Sequence, residues 1–269
     1  MKRFLAMALI LVLSFGLFAG CGAEKAPADG TAPAADAAAS DLAYIKDKGT
    51  LVVGITDFAP MDYKDENGEW TGFDAEFARA FAEKIGVTAE FVEIDWDNKL
   101  FELDAKSIDC IWNGMTINEE ILNGASVGDA YARNAQVVVM AKDKLAQYPD
   151  VASLAGLTFA VEAGSAGEKA AKANSLNSTA VSTQSATLME VQSGAADACI
   201  IDLTMATAMT GEGTSYADFG FTVELEPEEY GVAFRTGSDV VDAFNTAKAE
   251  LVADGTLPAL AEKYEIVLA

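Results

Sequence analysis

The 269-residue chain has no histidine, only three cysteines and six prolines, and 18 Lys and Arg against 42 Asp and Glu, a formal charge of −24. Without an imidazole, His-based triads, His general acids and His-ligated zinc are excluded. Cys21, Cys110 and Cys199 stand far apart and make no metal motif, so neither metal nor cofactor is expected. The shortage of basic residues argues against nucleic acid, because a phosphate lattice rewards a clustered cationic face. What the chain has in quantity is apolar material: 51% of its residues are hydrophobic, enough for a sizeable core. Its length lies between one large domain and two ordinary ones.

The N-terminus is a different kind of sequence. Lys2 and Arg3 precede an apolar run from Phe4 to Leu13, and small residues lead to Ala19-Gly20-Cys21. This layout predicts an export signal over residues 1–20. A transmembrane anchor fits less well, since small residues interrupt the run before a comfortable span is complete. Residues 21–40 are Ala-rich, carry Pro27 and Pro33 and lack an apolar stripe, which predicts a flexible tether.

From Asp41 onward strand-like and helix-like stretches alternate, predicting an α/β body. Leu51 to Ile55, Phe91 to Ile94, Ile108 to Trp112, Leu157 to Val161 and Ala198 to Ile201 read as strands. Phe73, Phe77, Phe81 and Ile85 recur every four residues ahead of Gly86, the stripe and stop of an amphipathic helix. Gln136 to Met140 and Gly231 to Phe234 are apolar runs that would cross between two lobes. Lobe 1 would then comprise residues 41–136 and 233–269, and lobe 2 residues 137–232. Cys110 and Cys199 lie in short apolar stretches, so buried thiols are favoured over a disulfide.

The stretch from Asp57 to Asp74, with Phe58-Ala59-Pro60, Asn67-Gly68 and Thr71-Gly72-Phe73-Asp74, reads as a strand end, a loop carrying an aromatic, a hairpin and a helix start. It resembles the opening of bacterial extracellular solute-binding proteins of family 3, the polar amino-acid receptors of ABC importers. Asp95-Trp96-Asp97, Asn113-Gly114-Met115-Thr116-Ile117, Asp197 to Asp202, Tyr230-Gly231-Val232-Ala233 and Asp254-Gly255-Thr256-Leu257 match the family in order and cover nearly all of residues 41–269. The resemblance implies a type II periplasmic-binding-protein-like (Venus flytrap) fold: two α/β lobes, two hinge strands and a ligand in the cleft between. It implies a monomeric binding protein rather than an enzyme, with an importer permease as partner. Ala19-Gly20-Cys21 resembles a lipobox, which implies acylation of Cys21, a palmitate-type lipid anchor and an extracytoplasmic location on the membrane.

The same resemblance implies the site. Phe58 and Trp96 match the aromatic wall; Gly114 and Thr116 match positions that meet the ligand's ammonium and carboxylate, with Asn113 adjacent. Asp202 matches the second-lobe acid for the α-ammonium, and the turn Ser165-Ala166-Gly167 opens a helix whose N–H groups can receive a carboxylate. Read from the residues alone, Thr116 and Asp202 are equally placed to cap the helices that follow them. One departure stands out: Ile121 occupies the place of an Arg that normally grips the carboxylate. Arg133 is the nearest basic candidate, on the approach to a hinge strand and facing solvent, while Asp57, Glu162 and Asp202 weight the cleft towards acid. A zwitterionic amino acid is the expected ligand. A cationic amine without a carboxylate is the alternative, and a same-fold periplasmic dehydratase, which needs a positive pocket, stands behind both.

Overall fold

A computed structural model describes residues 40–269. The segments expected to hold an export signal, an acylated Cys21 and a tether lie, up to residue 39, outside the described residues. Ser40, the last residue assigned to the tether, is the N-cap of helix α1 (Asp41–Lys48): its hydroxyl accepts from the Ala43 amide and donates to Asp239.

Each half of the body is built from parallel strands joined by helices. In the first, β1 (Thr50–Ile55) is followed by the hairpin β2 (Tyr63–Lys64) and β3 (Trp70–Thr71), helix α2 (Phe73–Ile85), β4 (Thr88–Glu93), α3 (Lys99–Asp104), β5 (Cys110–Thr116), α4 (Glu119–Gly124) and β6 (Ser126–Val127). Strand β7 (Ala132–Ala141) leads into the second half: β8 (Thr158–Glu162), α5 (Ala166–Ala173), β9 (Asn177–Val181), α6 (Gln184–Ser193), β10 (Ala198–Asp202) and α7 (Leu203–Met209). Strand β11 (Phe219–Phe234) returns, and α8 (Val240–Ala253) and α9 (Thr256–Tyr264) pack on the first half.

Apart from the separate β2-β3 hairpin, the strands form one curled sheet in the order β4-β1-β5-β11-β7-β10-β8-β9, with β6 on β11. β1 lies parallel to β4 and β5, and β8 parallel to β9 and β10. The central strands β7 and β11 are antiparallel and join the halves, giving the two-lobed fold with two crossing strands. The return strand is far longer than Gly231 to Phe234. It pairs with β7 from Phe219 to Tyr230 and with β5 from Tyr230 to Phe234.

The α2 stripe behaves as its spacing demands. Phe73, Phe77 and Phe81 are fully buried, and Phe77 meets Trp112 of β5 edge to face at a centroid distance of 4.8 Å. Cys110 and Cys199 are buried free thiols, as expected; burial raises both, Cys199 to about 12. At the far edge of the first half Arg235 binds Asp41 at 3.0 Å, Asp109 at 3.3 Å and the Ile108 carbonyl at 2.9 Å, tying α1 to the sheet.

Candidate functional site

The carboxyl ends of β5, β8 and β10 converge on the starts of α4 and α5, where an α/β sheet leaves a crevice. The crevice is a narrow cleft lined by residues of both halves. Its walls touch across the gap: the Lys99 ammonium from α3 donates to the Gly164 carbonyl before α5 at 3.0 Å, and Lys169 of α5 pairs with Glu120 of α4. Gly164 also backs onto Asp97, where a Cβ would come within 2.6 Å of the carboxylate.

Trp96 sits in a single 3-10 turn after β4, lines the cleft, and is nearly buried in a core cluster with Leu103, Ile108 and Ile121, with the Lys99 ammonium 5.1 Å from its ring centroid. Gly114 and Thr116, at the end of β5, line it too. Gly114 has φ +53, its N–H donates to Asp74 at 2.6 Å, and a Cβ there would come within 2.5 Å of the Phe58 ring. Asn113 reaches the cleft, but its amide is committed to Thr56, donating at 2.7 Å and accepting at 2.9 Å. Thr116 does not cap α4, because Asn118 does so by accepting from the Ile121 amide.

Phe58 is not among the lining residues, so the structure does not place it beside Trp96 on the wall. It is 1% exposed and packs behind Gly114. The reason is local: paired backbone hydrogen bonds between Phe58 and Asp62 fold the loop inward and carry the ring into the core.

On the second half, Ser165 and Ala166 line the cleft, and the Ser165 hydroxyl caps α5 by accepting from Glu168. Gly167 lies behind them, close against the Ile200 carbonyl, and supports rather than lines the cleft. Asp202 occupies the N-cap position of α7 without making a capping bond. Its carboxylate instead accepts from Asn134 and Gln184 at 2.5 Å and from the Tyr230 hydroxyl at 2.6 Å. Glu162, at the end of β8, completes the acidic wall; burial and then the charge of Asp202 raise its carboxyl to about 8. Glu228 on β11 is raised to about 8 by the same two causes.

The sequence offered Arg133 as the nearest basic candidate in the absence of the Arg, but the structure brings two lysines to the cleft instead. Ile121 is fully buried and does line the cleft, but Lys99 and Lys169 line it as well. Lys99 is 3% exposed, held by the Trp96 and Gly164 carbonyls, and burial lowers its pKa. Asp57 is exposed and lies off the lining, so the acidic surplus shrinks from that side too. Arg133 faces solvent, as expected. Both lysines had a signal: Lys99 stands one turn past Trp96, and Lys169 follows Ser165 by four residues, on the same helix face.

Comparison with known proteins places this geometry. The model of the bacterial extracellular solute-binding proteins, family 3, matches residues 51–266. The L-cystine-binding protein TcyJ of Escherichia coli K12 is 28% identical over 96% of this chain and 94% of its own. The arginine-binding extracellular protein ArtP of Bacillus subtilis is 29% identical over 98% of both. Among solved structures, the ancestral amino acid-binding protein AncCDT-1, a precursor of cyclohexadienyl dehydratase, superposes with a TM-score of 0.77 at 31% identity, over 84% of this chain and 99% of that one. A two-lobed body whose strand ends meet in one charged cleft, matched by the family model along almost its whole described length, belongs to family 3 of the bacterial extracellular solute-binding proteins.

Proposed function

We propose that the protein captures a free amino acid in this cleft and delivers it to an ABC importer. The observation that carries the reading is a cleft lined by both signs of charge: Glu162 and Asp202 together with Lys99, Lys169 and the start of α5, and Trp96 alongside. That arrangement complements a zwitterion, whose ammonium and carboxylate need opposite partners and whose side chain needs a flat wall. Gly114 and Thr116 at the end of β5 add backbone and hydroxyl contacts, and Ser165 and Ala166 add amide donors. Lys169, whose Nζ is buried beside Glu120 with no hydrogen-bond partner among the described residues, gives a carboxylate its partner, which favours an amino acid over an amine lacking one. The names of the relatives, cystine and arginine receptors, support the same class.

The lobes take the boundaries of residues 41–136 with 233–269, and 137–232, and the protein works as a monomer outside the cytoplasm. Cys21 carries the lipid that holds it there, and residues 22–39 connect it to the body. Replacing Cys21 with Ser is expected to move the protein from the membrane to the soluble fraction; a variant that still sediments with membranes overturns the anchor. Capture itself is tested by melting the protein with each proteinogenic amino acid, ornithine and L-cystine. At a hundredfold excess over Kd a ligand adds about 2.7 kcal/mol, a shift of several degrees. A flat panel overturns the reading.

A further inference from the structure

Asp202 is the residue the family resemblance assigns to the ammonium, yet in this cleft its capacity is largely taken. A carboxylate offers about four lone-pair directions. Asn134 and Tyr230 occupy two on one oxygen, and Gln184 occupies one on the other. Gln184 is itself pinned, its carbonyl accepting from the Asp202 amide at 3.2 Å. Glu228 crowds the same carboxylate from β11.

Glu162 is in the opposite condition. It is 2% exposed and on the cleft wall, and its Oε1 has no hydrogen-bond partner among the described residues. A buried acceptor without a donor is costly, and native structures keep few of them. The cations nearby do not fill the gap. Lys99 is bonded to two carbonyls, and Lys169 is paired with the Glu120 carboxylate and makes no hydrogen bond among the described residues.

We infer that Glu162 is the principal acceptor for the ammonium of a bound amino acid, with Asp202 contributing its one remaining direction to the same cation. This rests on the amino-acid reading above and names the residue that holds its charged head. A coupled proton follows. The groups facing Glu162 are Asp202 at the end of β10, Asp95 before α3, Lys99 on α3 and Gln184 on α6. Burial and the two aspartates outweigh Lys99, so the empty cleft keeps the Glu162 carboxyl protonated at pH 7. An arriving ammonium favours the carboxylate, and the displaced proton leaves to buffer. Binding therefore releases on the order of one proton at pH 7, and apparent affinity rises between pH 6 and 8 by up to about tenfold per pH unit.

The test is calorimetric titration with L-arginine, L-cystine, L-histidine and L-glutamine, each in phosphate and in Tris at pH 7, on the wild type and on Glu162→Gln. The wild type is expected to bind at least one of the four with proton release. Glu162→Gln, close in shape to the neutral acid, should keep its melting temperature, lose about 10- to 100-fold in affinity and release no proton. N-acetyl-L-arginine, which lacks the ammonium, should bind neither protein. If the wild type binds without proton exchange, or Glu162→Gln binds as tightly and with the same release, the assignment to Glu162 is overturned while amino-acid capture stands. If the wild type binds none of the four, the assignment fails, and the wider melting panel then decides whether amino-acid capture fails with it. The wild-type arm needs no variant, so a misfolded Glu162→Gln leaves the inference open to refutation.

Discussion

Two aromatics that read alike in the sequence do different work, and single substitutions should separate them. Phe58 is buried behind Gly114, so Phe58→Ala empties a core position and should cost about 3–5 kcal/mol of stability. Trp96 lines the cleft as well as a smaller core cluster, so Trp96→Ala should weaken amino-acid binding in addition to lowering stability, whereas Phe58→Ala should act on stability first. A melting curve beside a titration for each variant checks the pair; a Trp96→Ala variant that loses stability but no affinity would return Trp96 to the core alone. Gly114 is constrained from both sides, by φ +53 and by the Phe58 ring 2.5 Å from any added Cβ. Gly114→Ala should cost about 1–3 kcal/mol and also shift the β5 end, which would reduce binding out of proportion to stability.

Among the elements, α1 is held less by its own sequence than by a buried charge cluster at its base. Arg235 reaches Asp41, Asp109 and two backbone carbonyls, and Lys48 reaches Asp109 from α1 itself at 2.5 Å. The Asp109 side chain is fully buried, so Arg235→Ala leaves it with too little positive charge and should destabilise the protein by about 3 kcal/mol. Denaturant melts of Arg235→Ala measure this, and a change below 1 kcal/mol, an exposed ion pair's worth, would refute it. The sequence foretold elements with strong periodicity or unbroken apolar runs, α2 and β5 among them. It did not foretell most of β11, where Glu224, Glu226, Pro227, Glu228 and Glu229 disguise a strand whose order comes from pairing with β7. β9 was hidden for a similar reason, being mostly half-buried or exposed and polar beside β8. The motif-borne positions at the cleft rested on the family resemblance, and the turns that open α3, α4 and α5 bring Trp96, Thr116 and Ser165 to its lining. The role of Lys99 was not legible, because its acceptor Gly164 lies 65 residues away and meets it only when the two halves come together.

Across the whole molecule, the buried acids set how stability and binding respond to pH, and they do so in opposite directions. Burial is the largest cause raising Asp62, Asp74, Glu162, Asp202 and Glu228, with Asp74 carried to about 7 and both glutamates to about 8. These groups hold protons in the folded state that the unfolded chain has already lost above its ordinary carboxylate range. Their contribution to stability is therefore full below about pH 4 and is lost as pH rises towards 8. Glu76, Glu120 and Glu168 work the other way: they are lowered, with lysine partners Lys263, Lys169 and Lys172, and lose their contribution only in acid. Being partly exposed, they weigh less than the buried set. The empty protein should thus melt highest in mild acid and fall by roughly 5 °C or more between pH 5 and pH 8, at about 2–4 °C per kcal/mol for a body of this size. Repulsion within a chain of charge −24 has the same sign, but salt screens it and leaves the buried carboxyls almost untouched. A slope that survives high salt and shrinks in Glu228→Gln belongs to the buried acids; one that salt abolishes belongs to the surface. With a bound amino acid the slope should flatten, since an ammonium beside Glu162 removes one of the protons that folding would otherwise hold, and affinity gains at the pH where the empty fold weakens.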